Sequence, residues 1–194
     1  MIYMVDHVYD DPVTEAAWHA WYAEYLQKLV AVPGIDSAQR FRALDCSPPR
    51  YLAMYSVASA DVYESDAYRN MGGGGSQSAQ FHHAYRLWTR NLFEGASRAP
   101  IVRDAQRVLV FDREQRPERD PVLRPQDHRS CGSRRYVDMA AAAARATWLE
   151  AVGLHMTTRY RAFVVLDANE VVSTAPVPGS YLYEPFTRAV LEPH

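Results

Sequence analysis

The sequence is short of cysteine and of long apolar runs, and each shortage excludes a class of protein. Cys46 and Cys131 are the only cysteines, and neither belongs to a CxxC or Cys/His spacing, so we expect neither a zinc site nor a disulfide framework. No window approaches the roughly 18 apolar residues of a transmembrane helix, and the segment Met1 to Asp10 carries acids instead of a basic leader. We therefore predict a cytoplasmic protein with free thiols.

Net charge is also small, which limits the partners that the chain can attract. The 21 basic and 23 acidic residues give a formal charge of -2, so neither nucleic acid nor a membrane surface is an expected partner. Aromatic residues, in contrast, make up 12% of the chain, and flat side chains commonly line apolar ligand cavities. The expected partner is a small hydrophobic or aromatic substrate.

Familiar cofactor motifs are absent from the sequence. It contains no nucleophile elbow, dinucleotide fingerprint or HExxH helix, and the glycine run between Met71 and Ser76 lacks the Lys and Ser/Thr of a phosphate-binding loop. We therefore expect no cofactor and no metal. Because consecutive glycines leave the backbone free, this run predicts a mobile loop that could cover a pocket.

The first half of the chain predicts a strand, a helix, two strands and a short helix. Trp18, Trp21, Tyr22, Tyr25 and Leu29 recur at the spacing of one helical face, which Pro33 and Gly34 end. This order is most of a βαββαβ unit. The predicted elements are a strand from Ile2 to Val8, the helix after Asp11 and Pro12, strands from Ile35 to Leu44 and Tyr51 to Ala58, and a helix from Asp61 to Asn70.

The second half predicts a similar order with a long interruption. A surface excursion rich in Arg, Pro and Asp occupies residues 113–135, because no apolar periodicity is present there. A helix from Ser78 to Asn91 is predicted before this half begins. The predicted elements of the second half are a strand from Arg107 to Phe111, an alanine-rich helix from Tyr136 to Val152, and strands from Thr157 to Asp167 and Gly179 to Phe186.

A local self-match connects the two halves. Arg40-Phe41-Arg42-Ala43 follows Gly34-Ile35 at the interval at which Arg159-Tyr160-Arg161-Ala162 follows Gly153-Leu154. The match predicts an α+β fold in which two ferredoxin-like halves, residues 1–104 and 105–194, form a pseudo-dimer in one chain. Their sheets would close into one barrel around an apolar pocket, and further homodimerisation is left open.

The motif Trp18-x-x-Trp21-Tyr22, with Val32-Pro33-Gly34, Arg40-Phe41 and Arg50-Tyr51-Leu52, resembles the EthD-like branch of the dimeric α+β barrel superfamily. The resemblance covers roughly Met1 to Gly95 and implies the barrel fold. It also implies one of the superfamily's activities, which include isomerases, polyketide cyclases, dehydratases, cofactor-free oxygenases and haem-dependent enzymes. Many related sequences carry a His on the first helix where this chain has Tyr25.

Polar residues that can face an aromatic cavity are candidates for proton transfer. His7 is placed mid-strand on the face of Tyr3 and Val5, opposite to Asp6, and could act as a general base or acid. His82 is the second candidate base, and Arg40 or Tyr25 could stabilise an enolate oxygen. The predicted substrate-binding residues are Tyr3, Trp21, Phe41, Tyr55, His83 and Trp88.

These residues predict a cofactor-independent lyase or isomerase, of dehydratase or cyclase type, acting on a small aromatic or polyketide-like carbonyl compound. A cofactor-free oxygenase of a phenolic or quinol substrate needs the same base and stays open. So do a haem enzyme with an axial His and a non-catalytic binding barrel for hydrophobic metabolites.

Overall fold

A computed structural model describes residues 1–44, 48–73, 76–115, 135–137, 139–172 and 178–192. Three α-helices are present in these ranges, together with 3₁₀ segments at Ala60–Glu64 and Ser76–Ala84. The helices are α1 (Glu15–Val30), α2 (Asp66–Asn70) and α3 (Met139–Arg145). None of these helices is long and apolar enough to cross a membrane.

Eleven strands are described, and most of them belong to one antiparallel sheet. They are β1 (Ile2–Tyr9), β2 (Ile35–Ala43), β3 (Tyr51–Val57), β4 (Tyr85–Glu94), β5 (Arg107–Arg113), β6 (Arg135–Val137), β7 (Thr147–Leu154), β8 (Tyr160–Leu166), β9 (Glu170–Val172), β10 (Ser180–Pro185) and β11 (Val190–Leu191).

Eight of the strands close into a barrel. The order is β10-β5-β8-β7-β4-β1-β3-β2, and β10 pairs again with β2 to complete the circle. The seam between β4 and β7 is antiparallel, with Phe93 opposite Ala151. The protein is therefore an α+β fold built on a closed antiparallel barrel, with β11 added beside β2 and the short pair β6 and β9 forming a separate sheet.

The interior of the barrel is packed with side chains. Ile2, Met4 and Phe93 from one side meet Val110 and Phe163 from the other, and all are almost fully buried. These side chains form a hydrophobic core inside the barrel. The expectation of a pocket inside the barrel is thus corrected, because the cavity described below lies on the outer face of the sheet.

Both faces of β1 are buried, because one faces the interior of the barrel and the other packs against a helix. Alternate residues point to opposite sides, so Ile2 and Met4 face the barrel while Tyr3, Val5 and His7 face α1. Helix α1 lies along this outer face with Trp18, Tyr22, Leu26 and Leu29 buried against it. The predicted first strand, the helical face and the pair β2 and β3 are confirmed within a few residues.

Two predicted helices are partly wrong. Residues 85–94 form β4, not the end of a helix, and residues 147–154 form β7, in which Leu149 and Ala151 are buried while Glu150 and Val152 point away. The alanine run explains the second error, because alanine favours helix and does form α3 before the chain turns into the strand. Trp148 therefore lies on a strand and not on a helix.

Some predictions fall outside the described residues. Most of the excursion at 113–135, both cysteines, and Gly74 and Gly75 of the glycine run lie there.

Candidate functional site

A cavity lies between α1 and the outer face of strands β1, β3 and β4. Its empty volume is about 560 Å³ when its opening to solvent is included. Val5 and Leu29 contribute aliphatic surface, and Gly72, Gln77 and Ser78 border it from the segment around the glycine run. A mostly apolar cavity that is lined by aromatic rings and a few polar groups is typical of a small-molecule site.

Aromatic rings make most of the cavity wall. Seven of the 13 tyrosines and two of the four tryptophans line it. These rings are contributed by β1, α1, β3, the segment after β3, and β4. They are Tyr3, Tyr22, Tyr25, Tyr55, Tyr63, Tyr68, Tyr85, Trp21 and Trp88.

His7 lines this cavity and is only 2% exposed. Its imidazole meets Trp18, Tyr22 and Tyr85 with ring centroids 5.4–5.6 Å apart. Burial first, and then the positive charge of Arg40, lower the pKa of His7 well below its ordinary value of 6.5. The imidazole is therefore neutral at pH 7. Its Nδ1 is fully buried and has no hydrogen-bond partner among the residues described.

Tyr22 and Tyr55 form a hydroxyl pair in the wall. Their oxygens lie 2.9 Å apart in a buried hydrogen bond. Burial raises the pKa of Tyr22, whereas Arg40 acts in the opposite direction because its guanidinium lies 3.9 Å from the centre of the Tyr22 ring. Burial likewise raises the pKa values of Tyr25 and Tyr55, so all three phenols stay protonated at neutral pH.

Arg40 is buried behind the cavity wall and not in it. Its guanidinium lies against the faces of Tyr22 and Trp18, and its Nη2 lies 3.3 Å from Nδ1 of His19. Nη1 is buried and has no partner in the described parts of the chain. Arg40 therefore adds positive charge to the site through Tyr22 without contacting the cavity.

Arg90 supplies the charge that does reach the cavity. It lies on β4 opposite Val5 and lines the wall, with its guanidinium 5.0 Å from the centre of the Trp88 ring. Among the described residues that line the cavity there is no Asp or Glu. The site therefore combines a neutral imidazole, phenolic donors and one cation.

The structure places the predicted residues in two groups. Tyr3, Trp21, Tyr25, Tyr55 and Trp88 line the cavity with His7. The others lie elsewhere. His82 is exposed and is held by Ser78 at 2.7 Å, His83 is exposed beside Asp11 at 3.2 Å, and Phe41 is buried in the barrel interior. The prediction that Phe41 binds substrate was wrong, because side chains alternate along β2 and Phe41 points to the face opposite that of Arg40, into the barrel.

Sequence reasoning missed Arg90, Tyr63 and Tyr68. Arg90 was assigned to a helix, where its face could not be related to that of His7. Tyr63 and Tyr68 lie on the short helical segments after β3, whose register no periodicity fixes. The strand pairing of β1 with β4 is the signal that would have found Arg90, because Val5 and Arg90 are neighbours in it.

A second polar cluster lies at the start of α1, outside the cavity. The hydroxyl of Tyr51 donates to Glu15 at 2.6 Å and lies 3.2 Å from Nε2 of His19. Burial and the charge of Arg40 lower the pKa of His19 to about 4. This cluster orients Tyr51 and His19 next to Arg40.

A third polar cluster lies in the barrel. Arg161 of β8 contacts Asp6 of β1 at 2.9 Å and Asp112 of β5 at 2.6 Å, and Thr89 donates to Asp6. Asp6 and Arg161 are both at least 97% buried. Burial raises the pKa of Asp6 in spite of Arg161. The pair connects a strand of the first part of the chain to two strands of the second.

No protein-family model and no curated protein sequence matches the chain. A solved structure described as that of an anthrone oxidase-like protein is similar, with a TM-score of 0.59 and 11% identity, over 100% of this chain and 93% of that chain. At this identity the likeness shows a shared α+β barrel fold.

Proposed function

We propose that the chain is a cofactor-independent enzyme that removes a proton from carbon in a small aromatic carbonyl compound. The observation that carries the proposal is the neutral imidazole of His7 in the wall of an aromatic cavity without carboxylates among its described residues. A general base must be deprotonated before it acts, and the lowered pKa keeps His7 in that form at neutral pH.

The proposed step transfers one proton. Nε2 of His7 takes the proton of an acidic C–H group, because Nδ1 is fully buried. The electron pair of the broken C–H bond moves into the carbonyl group to form an enolate. Tyr25, which lines the cavity and whose hydroxyl interacts with Tyr68, is the proposed donor of a hydrogen bond to the enolate oxygen. The imidazolium and the enolate that result carry opposite charges, which attract each other within the cavity.

The enolate has two chemical fates. It can expel a leaving group or take a proton at another carbon, which is the lyase or isomerase chemistry that the sequence predicts. Alternatively it can react with dioxygen, so that a methylene group and O₂ give a carbonyl group and water. The similarity to the structure of an anthrone oxidase-like protein favours the second fate.

We also propose that the barrel is built from two related halves, residues 1–104 and 105–194, as the EthD-like resemblance implies. The order β4-β1-β3-β2 is repeated as β10-β5-β8-β7 when strands are matched in sequence. In this correspondence β8 matches β3, so the local self-match of Arg40 with Arg159 was shifted by one strand.

Anthrone tests the proposed function, because its methylene protons are acidic and its rings are planar. In deuterated buffer without oxygen, the protein is expected to accelerate loss of the methylene proton signal in NMR spectra over buffer alone. Oxygen uptake after air is admitted distinguishes the oxidase fate from the others. Saturable binding without any exchange would contradict the enzyme and leave a binding barrel.

Arg40→Met is expected to raise the pKa of His7, because the charge of Arg40 is the second cause that lowers it. The pKa should stay below 6.5, since burial is the larger cause and remains. NMR titration of the imidazole measures the shift. In Arg40→Lys, which keeps the positive charge, the pKa of His7 should stay close to its wild-type value. An unchanged His7 pKa in Arg40→Met would remove Arg40 from the site's electrostatics.

A further inference from the structure

Arg90 lacks the carboxylate partner that several other arginines have among the described residues. Arg42 pairs with Glu184 at 2.7 Å, and Arg161 pairs with Asp6 and Asp112. Among the described residues, the Arg90 guanidinium contacts the face of Trp88, and its Nε is buried there without a hydrogen-bond partner. A partly buried cation without an anion is costly unless a ligand supplies one.

The position of Arg90 relates it to His7. On the cavity face, His7 is opposite Trp88 and Val5 is opposite Arg90. His7 and Arg90 thus lie on adjacent strands, two positions apart along the strand direction. This diagonal separates their backbones by about 8 Å. Trp88, which is opposite His7 in the ladder, carries the ring that the Arg90 guanidinium contacts.

We propose that the ligand of this cavity is an aromatic carboxylate, whose carboxylate group is bound by Arg90 while the carbon that loses its proton lies at His7. The inference rests on the proposed function and adds the substrate class. An arginine fork matches the two oxygens of a carboxylate, and the absence of acidic side chains among the described lining residues leaves this anion unopposed. The ring of the ligand then lies against Trp88 and the tyrosines.

Calorimetric titration with 2-naphthoate and with 2-naphthamide, its neutral planar analogue, tests the proposal. The wild-type protein is expected to bind the carboxylate about tenfold or more tightly than the amide, as a charge-assisted hydrogen bond implies. Arg90→Met should lose this preference, and Arg90→Lys should keep part of it. Arg86→Met is the matched control, because Arg86 is on the same strand but pairs with Asp10 at 3.1 Å and does not line the cavity.

Three results would overturn the proposal. One is equal binding of the carboxylate and the amide by the wild-type protein, and another is a preference that survives in Arg90→Met. The third is Arg90 dependence only for pentafluorophenolate, a single-oxygen anion at pH 8, which would identify a phenolate site instead. Proton exchange of anthrone that still requires His7 would in each case leave the proposed function standing.

Discussion

His7→Ala is expected to slow exchange of the anthrone methylene protons at least about a hundredfold, the lower end of the effect of losing a general base. The reason is that the described lining residues offer no carboxylate to take over the proton, and the tyrosines are protonated because burial raises the pKa of Tyr22 and Tyr55. The rate of proton loss by NMR, measured without oxygen, gives the ratio.

His83→Ala is the matched control for this prediction. His83 is exposed beside Asp11 and lies outside the cavity, so its replacement should leave the exchange rate within about twofold, as for surface substitutions generally. His7→Gln keeps the volume of the side chain and should be as slow as His7→Ala if the base is what matters. Near-normal exchange in both His7 variants, with an unchanged circular dichroism spectrum, would show that another group accepts the proton.

Arg161→Met should lower the free energy of unfolding by about 3–5 kcal/mol, because it leaves Asp6 buried without its cation and removes a partner of Asp112. The Asp6 pKa, already raised by burial, should rise further in the variant. A carboxyl group that is more basic in the folded than in the unfolded state costs stability at neutral pH, and protonation removes this cost. The loss should therefore shrink as the pH falls from 7 toward 5.

Denaturant unfolding of Arg161→Met and Arg42→Met at both pH values measures this difference. Arg42 pairs with Glu184 at the surface, where its side chain is 46% exposed, so its loss should cost less than about 1 kcal/mol. Equal losses in the two variants would mean that the buried pair does not hold the two parts of the barrel together.

The strands β1, β2 and β3 and the helix α1 were predictable because each carries its own periodicity and a clear stop. Pro33 and Gly34 end the helical face, and alternation along β1 places His7 with Tyr3 and Val5. Alternation cannot show which side of a strand holds the cavity when both sides are buried. The grouping of His7 with Tyr3 and Val5 was therefore correct. That face was expected to line the barrel interior, however, and it packs instead against α1, with His7 beside Trp18.

The strands β4 and β7 escaped prediction because local pattern and tertiary pairing disagree there. Phe81, Tyr85 and Trp88 recur at helical spacing, yet Tyr85 and Trp88 form a strand that pairs with β1. Such a strand is specified by its partner β1 and not by its own sequence. Even the paired residues that are nearest in sequence, Tyr9 and Tyr85, are 76 positions apart. The contribution of Arg90 to the cavity depends on that pairing, so it could not be read from the chain alone.

The pH dependence of anthrone proton exchange, measured as kcat/KM for the wild-type protein and corrected for buffer, tests the central claim most directly. It reports the pKa of the base in the free enzyme. Since burial and Arg40 lower the pKa of His7, the rate constant should stay level as the pH falls through 6.5 and decline only well below it. A decline with its midpoint at or above 6.5 would show that the proton acceptor is not the buried, neutral His7.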